Sequence, residues 1–137
     1  MKKLFTAFVL LLFCYSSNAQ SKNYQVVFDV SVRDSISQQA VIRELSLIKD
    51  ASPQASLEAV IYGQGLNLVL KDKSAHAGEI FKLINTNHVA FKVCAMTLSR
   101  NHVDKSQLIP GVEVVPDGIY EIISKQKEGW GYIKAAQ

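Results

Sequence analysis

Two cysteines occur in this chain of 137 residues, Cys14 and Cys94, and their settings could hardly differ more. Cys14 lies within an apolar stretch, Leu4 to Tyr15, that follows Lys2 and Lys3 and precedes Ser17-Asn18-Ala19. A short positive start, an apolar run and small residues at −3 and −1 form the pattern of a cleaved export signal. The apolar stretch falls short of the ~20 residues that span a bilayer. Bulky Phe13 before Cys14 also argues against a lipoprotein site, so Cys14 should leave with a signal peptide of residues 1–19. Cys94 then has no partner in its own chain. In an oxidising compartment a lone thiol is either a buried small hydrophobe or a reactive group. Cys94 ends an apolar run, His88 to Val93, where a strand gives way to a helix. Free N–H groups at such a junction favour the thiolate, the nucleophilic form that persulfide formation or thiol exchange requires.

Other chemistry-bearing residues are sparse. His76, His88 and His102 share no ligand spacing and no carboxylate cluster accompanies them, so no metal site is expected. Gly63-Gln64-Gly65 carries half of a dinucleotide fingerprint but lacks the third glycine and follows a second strand; a turn needing positive φ explains it better. No P-loop, G-x-S-x-G or H-E-x-x-H occurs, and no cofactor is expected. Asp29 at a strand end is either a site acid or a residue on the approach to a helix. Lys92 shares the strand face of Cys94 by alternation and is either a solvated lysine or a thiolate partner. Trp130 and Tyr132 read as packing or an oligomer contact.

The elements that must position these residues alternate between the two periods. Strands are expected at Tyr24–Val30, Leu57–Tyr62, through Val93, at Val112–Val115 and at Trp130–Lys134. Helices are expected from Asp34 or Ser35, near Ala77 to Asn85, at Met96 to Arg100 and after Asp117. A short helix opened by the capping-box spacing of Asp104 to Gln107 is also expected. Leu66–Leu70 is either a short strand or a helical turn. Ile119, Ile122, Ile123 and Gln126 are expected to share one helix face. Such alternation implies βαβ units, hence an α/β three-layer sandwich with a mainly parallel sheet covered on both faces. Val26-Val27-Phe28 and Val112–Val115 read as strands buried on both sides. Ligands in these sheets sit beyond the carboxyl ends of the strands, where Asp29, Tyr62, Gly63 and Cys94 could meet.

Residues 20–137 suffice for one domain with a core of its own. With Lys2 and Lys3 removed, fifteen basic residues against twelve acidic fall to near balance. Nothing in that charge calls for nucleic acid or an anionic membrane as partner. The expected location is periplasmic or secreted, with no stable membrane anchor.

Phe91-Lys92-Val93-Cys94-Ala95-Met96-Thr97-Leu98, Leu108-Ile109-Pro110-Gly111-Val112, Val115-Pro116-Asp117-Gly118 and Gln126 to Ile133 together resemble the DsrE/DsrF-like family. The resemblance implies a flavodoxin-like sandwich with a five-stranded sheet, and a homo-oligomer. It also implies a sulfur-relay role in which Cys94 carries sulfane sulfur as a persulfide, with a sulfur donor or acceptor protein as partner. Met96 stands where the family's block often has asparagine, and Tyr62 where histidine is common. A pocket of Asp29, Tyr62, Gly63, Met96 and Thr97 would surround the thiol. Two alternatives remain at this level: an oligomeric small-ligand-binding module in which Cys94 is core packing, and a redox-responsive protein that dimerises through Cys94.

Overall fold

The computed structural model describes residues 23–135; the expected signal peptide, Cys14 included, lies outside them. Five strands, β1 (Gln25–Val30), β2 (Ser56–Ile61), β3 (Ala90–Cys94), β4 (Glu113–Val115) and β5 (Gly131–Lys134), form one sheet in the order β4-β3-β2-β1-β5. Every pairing is parallel. The helices are α1 (Ser35–Ala51), α2 (Ala77–Asn85), α3 (Ala95–Arg100) and α4 (Gly118–Lys127). Two 3-10 segments, Gly63–Val69 and Lys105–Gln107, complete the set. The expected α/β sandwich is therefore the fold observed, and Leu66–Leu70 resolves as a helical turn.

Local chemistry explains the boundaries. Asp34 caps α1 by accepting the Ser37 N–H at 2.8 Å. Asp104 and Gln107 form the capping box that their spacing predicts. Asp117 accepts the N–H groups of Ile119 and Tyr120 at the head of α4, and Gly129 ends the segment at φ +90°. In the Gly63–Gly65 turn the two glycines serve different needs. Gly63 takes φ +55°, whereas a Cβ on Gly65 would lie 2.4 Å from the Val30 carbonyl oxygen. Positive φ thus accounts for only one of them.

Strand order dictates how the layers are built. From β1 to β4 the chain steps in one direction across the sheet, so right-handed crossovers place the intervening helices on one face. The main core lies there, with Phe28, Val30, Leu45, Leu57, Ile61, Ile80, Phe91 and Val93 all buried. The return from β4 to β5 runs the other way and puts α4 on the opposite face, where Val27, Val60 and Ile122 form a much smaller cluster. Expected burial fails on this side. Ile119 and Ile123 are exposed and only Ile122 is buried, while β4 is a short edge strand with Glu113 in solvent. Edge strands have one neighbour, and a single ten-residue helix cannot cover a five-stranded sheet.

The thinly covered face carries charge. Glu58 of β2 is 2% exposed, and Lys92 of β3 reaches both it, at 3.0 Å, and Glu121 of α4, at 2.7 Å. Lys125 lies 3.9 Å from Glu58 and 4.8 Å from the centroid of the Trp130 ring. Lys92 is thus neither a solvated lysine nor a thiolate partner. Burial pushes the Glu58 carboxyl above its usual range even though Lys92 opposes the shift. Lys92 itself is depressed by burial, but its bonds to Glu121 and Glu58 outweigh that and hold it above the ordinary lysine range.

Removing one partner of a buried ion pair strands the other. Lys92→Met is expected to destabilise the fold by about 3 kcal/mol at neutral pH. The loss should shrink as pH falls into the range where Glu58 takes a proton. Urea denaturation at neutral and acidic pH measures both, and a pH-independent loss would contradict this account.

Candidate functional site

Cys94 is the last residue of β3 and caps α3, so its carbonyl begins the helix while its side chain stays on the strand face. That face is the one covered by α4. The first residue of α4 is Gly118, and a Cβ there would lie 3.3 Å from Cys94 Cβ, 3.3 Å from Val60 Cγ1 and 3.4 Å from Tyr62 Cβ. A side chain there would make its neighbours give by a few tenths of an ångström, so glycine suits so close a helix end. Asp117 takes the N–H groups of Ile119 and Tyr120, and the Gly118 backbone beside the thiol favours its anionic form.

The thiol sits at the junction of β3 and α3, against the first residue of α4. Cys94 is 6% exposed and unpaired. Burial pushes its thiol up, but the Gly118 N–H, the Thr97 N–H and hydroxyl and the Met96 N–H outweigh it and hold the thiol below the ordinary cysteine range. All of these are neutral dipoles. The nearby lysine on the same strand face, Lys92, is occupied by Glu58 and Glu121.

The remaining expected residues form a chain leading away from the thiol. The Gly63 N–H donates to Thr97 Oγ1 at 3.0 Å, joining the end of β2 to the start of α3. Burial first, then Asp29, pushes the phenol of Tyr62, next to Gly63, above the ordinary tyrosine range, and Ser31 works against them. Asp29 is 4% exposed, and its Oδ2 accepts the Tyr132 hydroxyl at 2.6 Å. Its Oδ1 is buried without a partner among the described residues. Met96 is half exposed beside the thiol. Asp29 is thus linked through side chains rather than poised on the approach to a helix, and Tyr132 supplies its bond.

Two members of this arrangement, Gly118 and Tyr132, were not singled out from the sequence as site residues. Gly118 follows a helix cap and gave no sign that its backbone meets a strand three elements away. Tyr132 directly follows Gly131, and only the β1–β5 register, which sets Val27 against Tyr132, brings it to Asp29. The histidines lie elsewhere. His76 caps α2 with its Nδ1 3.5 Å from Glu79, and His88 and His102 occupy turns at positive φ. Among the described residues no group of three or more His, Cys, Asp or Glu is placed to hold a metal ion. No helix among them is long and apolar enough to cross a membrane. A groove of about 690 Å³ between α1 and α2, lined by Arg43, Ser46, Glu79 and Lys82 among others, shares no residue with the thiol site.

The DsrE/DsrF-like family matches residues 12–135. The chain belongs to that family. A solved protein of unknown function from Methanobacterium thermoautotrophicum is 31% identical, with a TM-score of 0.76, over 81% of this chain and 98% of its own. A conserved protein of unknown function from Bacteroides thetaiotaomicron shares 17% identity and the fold, with a TM-score of 0.70, over 85% of this chain and 99% of its own. No curated protein matches the sequence.

The Asp29–Tyr132 bond has a direct signature. The Asp29 carboxylate, then burial, raises the Tyr132 phenol to about 12. A raised phenol favours the neutral form in the fold, so this contribution to stability is present below the ordinary tyrosine value and is lost as pH rises through about 12. Ultraviolet difference titration should show a tyrosine ionising at about 12 that disappears in Tyr132→Phe. In Asp29→Asn it should move back toward the ordinary value of about 10. A late tyrosine unaffected by Asp29→Asn would refute the pairing.

Proposed function

We propose that this DsrE/DsrF-like protein is an exported sulfur carrier in which Cys94 takes up sulfane sulfur as a transient persulfide. The observation that supports this most is the place of Cys94 at the head of α3 and against the first residue of α4, where neighbouring N–H groups hold the thiol below the ordinary cysteine range although burial pushes it up. An inert packed thiol needs none of them. Family membership supports the coarser statement of a sulfur-relay-related role.

The step balances without any external oxidant. The Cys94 thiolate attacks the terminal sulfane sulfur of a donor persulfide. A new S–S bond forms at Cys94 Sγ as the donor's S–S bond breaks, and the bonding pair leaves on the donor thiolate. Delivery is the same exchange in reverse, onto an acceptor thiolate. Neutral N–H and O–H groups stabilise the anionic sulfur in both states. No second cysteine on the mature chain can resolve the persulfide, so an acceptor protein or a neighbouring subunit must do so. Asp29, Tyr62, Gly63, Met96 and Thr97 form the surroundings of the thiol in this reading.

A homo-oligomer belongs to the same proposal. Ile119, Tyr120 and Ile123 on α4 and Tyr132 on the edge strand β5 expose apolar surface on the thinly covered side. Light scattering should give a mass of more than one chain, and Tyr120→Glu should reduce it. A monomer at micromolar concentration counts against this part.

The carrier role is tested by incubating the protein with a sulfane-sulfur donor and weighing it intact. The expected result is a gain of one sulfur atom, reversed by a reductant and absent in Cys94→Ala. An unchanged mass, together with a folded-state thiol inert to alkylation, would leave Cys94 as core packing. A covalent dimer on non-reducing gels after mild oxidation would instead favour a redox-responsive protein.

A further inference from the structure

Asp29, near the carboxyl end of β1, is 4% exposed and has one oxygen bonded and one not. Its Oδ2 accepts the Tyr132 hydroxyl at 2.6 Å, while Oδ1 is buried without a partner among the described residues. Among those residues it also makes no ion pair. Lys134 stands opposite it in the β1–β5 register but does not bond to it, and Lys92 and Lys125 are held by Glu58 and Glu121. Glu58, a second buried acid with an open oxygen, has Lys92 at 3.0 Å. Asp29 has no such cation. A buried carboxylate oxygen without a donor is costly, and a buried charge without a counter-charge costs more.

Its position relates this oxygen to the thiol. Asp29 pairs in register with Val60, and Val60 with Lys92, two residues before Cys94. Alternation therefore puts Asp29, Val60 and Cys94 on one face of the sheet. Val60 Cγ1 and Cys94 Cβ each lie 3.3 Å from where a Gly118 Cβ would be, so β2 alone separates the carboxylate's strand from the thiol's. Strand spacing and rise place the two Cα atoms about 12 Å apart.

We infer that Asp29 is a specificity-determining residue for sulfur loading: its open oxygen receives the ammonium group of the donor, a small persulfide that carries a primary amine. This deepens the carrier reading and rests on it. An ammonium suits the oxygen better than a hydroxyl or an amide, because it supplies both the missing hydrogen bond and the missing charge. With the reach of both side chains counted, the span fits an amine two carbons from its persulfide, as in cysteine persulfide. No bond is made or broken at Asp29, and the exchange at Sγ is the one already described. Tyr132, 42% exposed on the edge strand, is the side chain whose movement uncovers the carboxylate.

The test follows sulfur uptake by Cys94, read as intact mass against time, from two donors. One is cysteine persulfide; the other is mercaptopropionate persulfide, the same molecule without the amine. The ratio of the two rates is measured in the parent and in Asp29→Asn, which keeps the shape and removes the charge. Comparing the ratios cancels the donors' own reactivity and any general effect of the substitution. The preference for the amine-bearing donor should fall about tenfold in Asp29→Asn. A ratio that the substitution leaves unaltered overturns the inference. Should Asp29→Asn fail to fold, or neither donor load the protein, an amide NMR titration of the parent decides. S-methylcysteine keeps the amine but cannot give up its sulfur; it should shift the Asp29 and Tyr132 signals saturably where methylthiopropionate does not. Equal shifts, or none, overturn the inference. A protein that takes up no sulfur yet passes this titration sinks the carrier reading and leaves the amine site standing.

Discussion

The approach of Gly118 to Cys94 is the constraint from which the site follows. A helix start can lie against a strand only where neither side chain intervenes, and here the 3.3 Å spacing to Cys94 and Val60 leaves no room to spare. The return crossover from β4 to β5 brings α4 back over β3, β2 and β1, so its first residue meets β3 at the carboxyl end, where Cys94 sits. One contact therefore closes the sheet face over the thiol and also brings the Gly118 backbone beside it. The remaining donors come from the start of α3, which must begin at Cys94 because β3 ends there. The sulfur is thus held between two helix starts belonging to consecutive βα units.

The charged residues on the same face work differently. Glu58, Lys92, Glu121 and Lys125 neutralise one another beneath α4, two residues along β3 from Cys94. A free lysine at that distance would favour a thiolate by direct attraction. Because Lys92 is bound on both sides, the sulfur feels chiefly dipoles. Dipolar stabilisation is short-ranged and depends on donor direction, so it is more sensitive to local geometry than to salt. A persulfide carries its charge on the outer sulfur, about 2 Å beyond Sγ, so dipoles grouped at Sγ favour the thiolate more than the persulfide anion. Salt-bridge pairing and thiol tuning are in this way kept separate although they share a strand.

Much of this was legible in the sequence, and the rest was hidden for identifiable reasons. Element type and order followed from period and caps: Asp34, Asp104 and Asp117 each open a helical segment in the structure, and Gly129 ends one. These are local signals, and locality is what a single chain records well. Cys94 at a strand–helix junction was readable for the same reason, as was the grouping of Tyr62 and Gly63 with it. The exposure of Ile119 and Ile123 was not readable, because an apolar helix face looks identical whether a sheet or another chain covers it. Lys92 was equally opaque. Its partners Glu58 and Glu121 are 34 and 29 positions away, and only the β2–β3 register and the α4 crossover bring them together.

Burial and reactivity pull against each other at this thiol, and the proposed cycle divides the conflict unevenly. Donors tune the sulfur well only if water does not compete for it, which favours the 6% exposure observed. Attack by Sγ on an incoming donor, however, needs access to that same atom. Once a persulfide has formed, the atom to be delivered is the outer sulfur, one S–S bond, about 2 Å, beyond Sγ. Access therefore limits loading more than unloading. Opening for loading falls most simply to Met96, half exposed, unbranched and next but one to Cys94. A polar asparagine there would add a further hydrogen-bonding group near the thiol; a thioether adds none and can move aside. On this argument the tuning rests with the groups packed around Cys94, while Met96 is the exposed side chain best placed to yield at the entry.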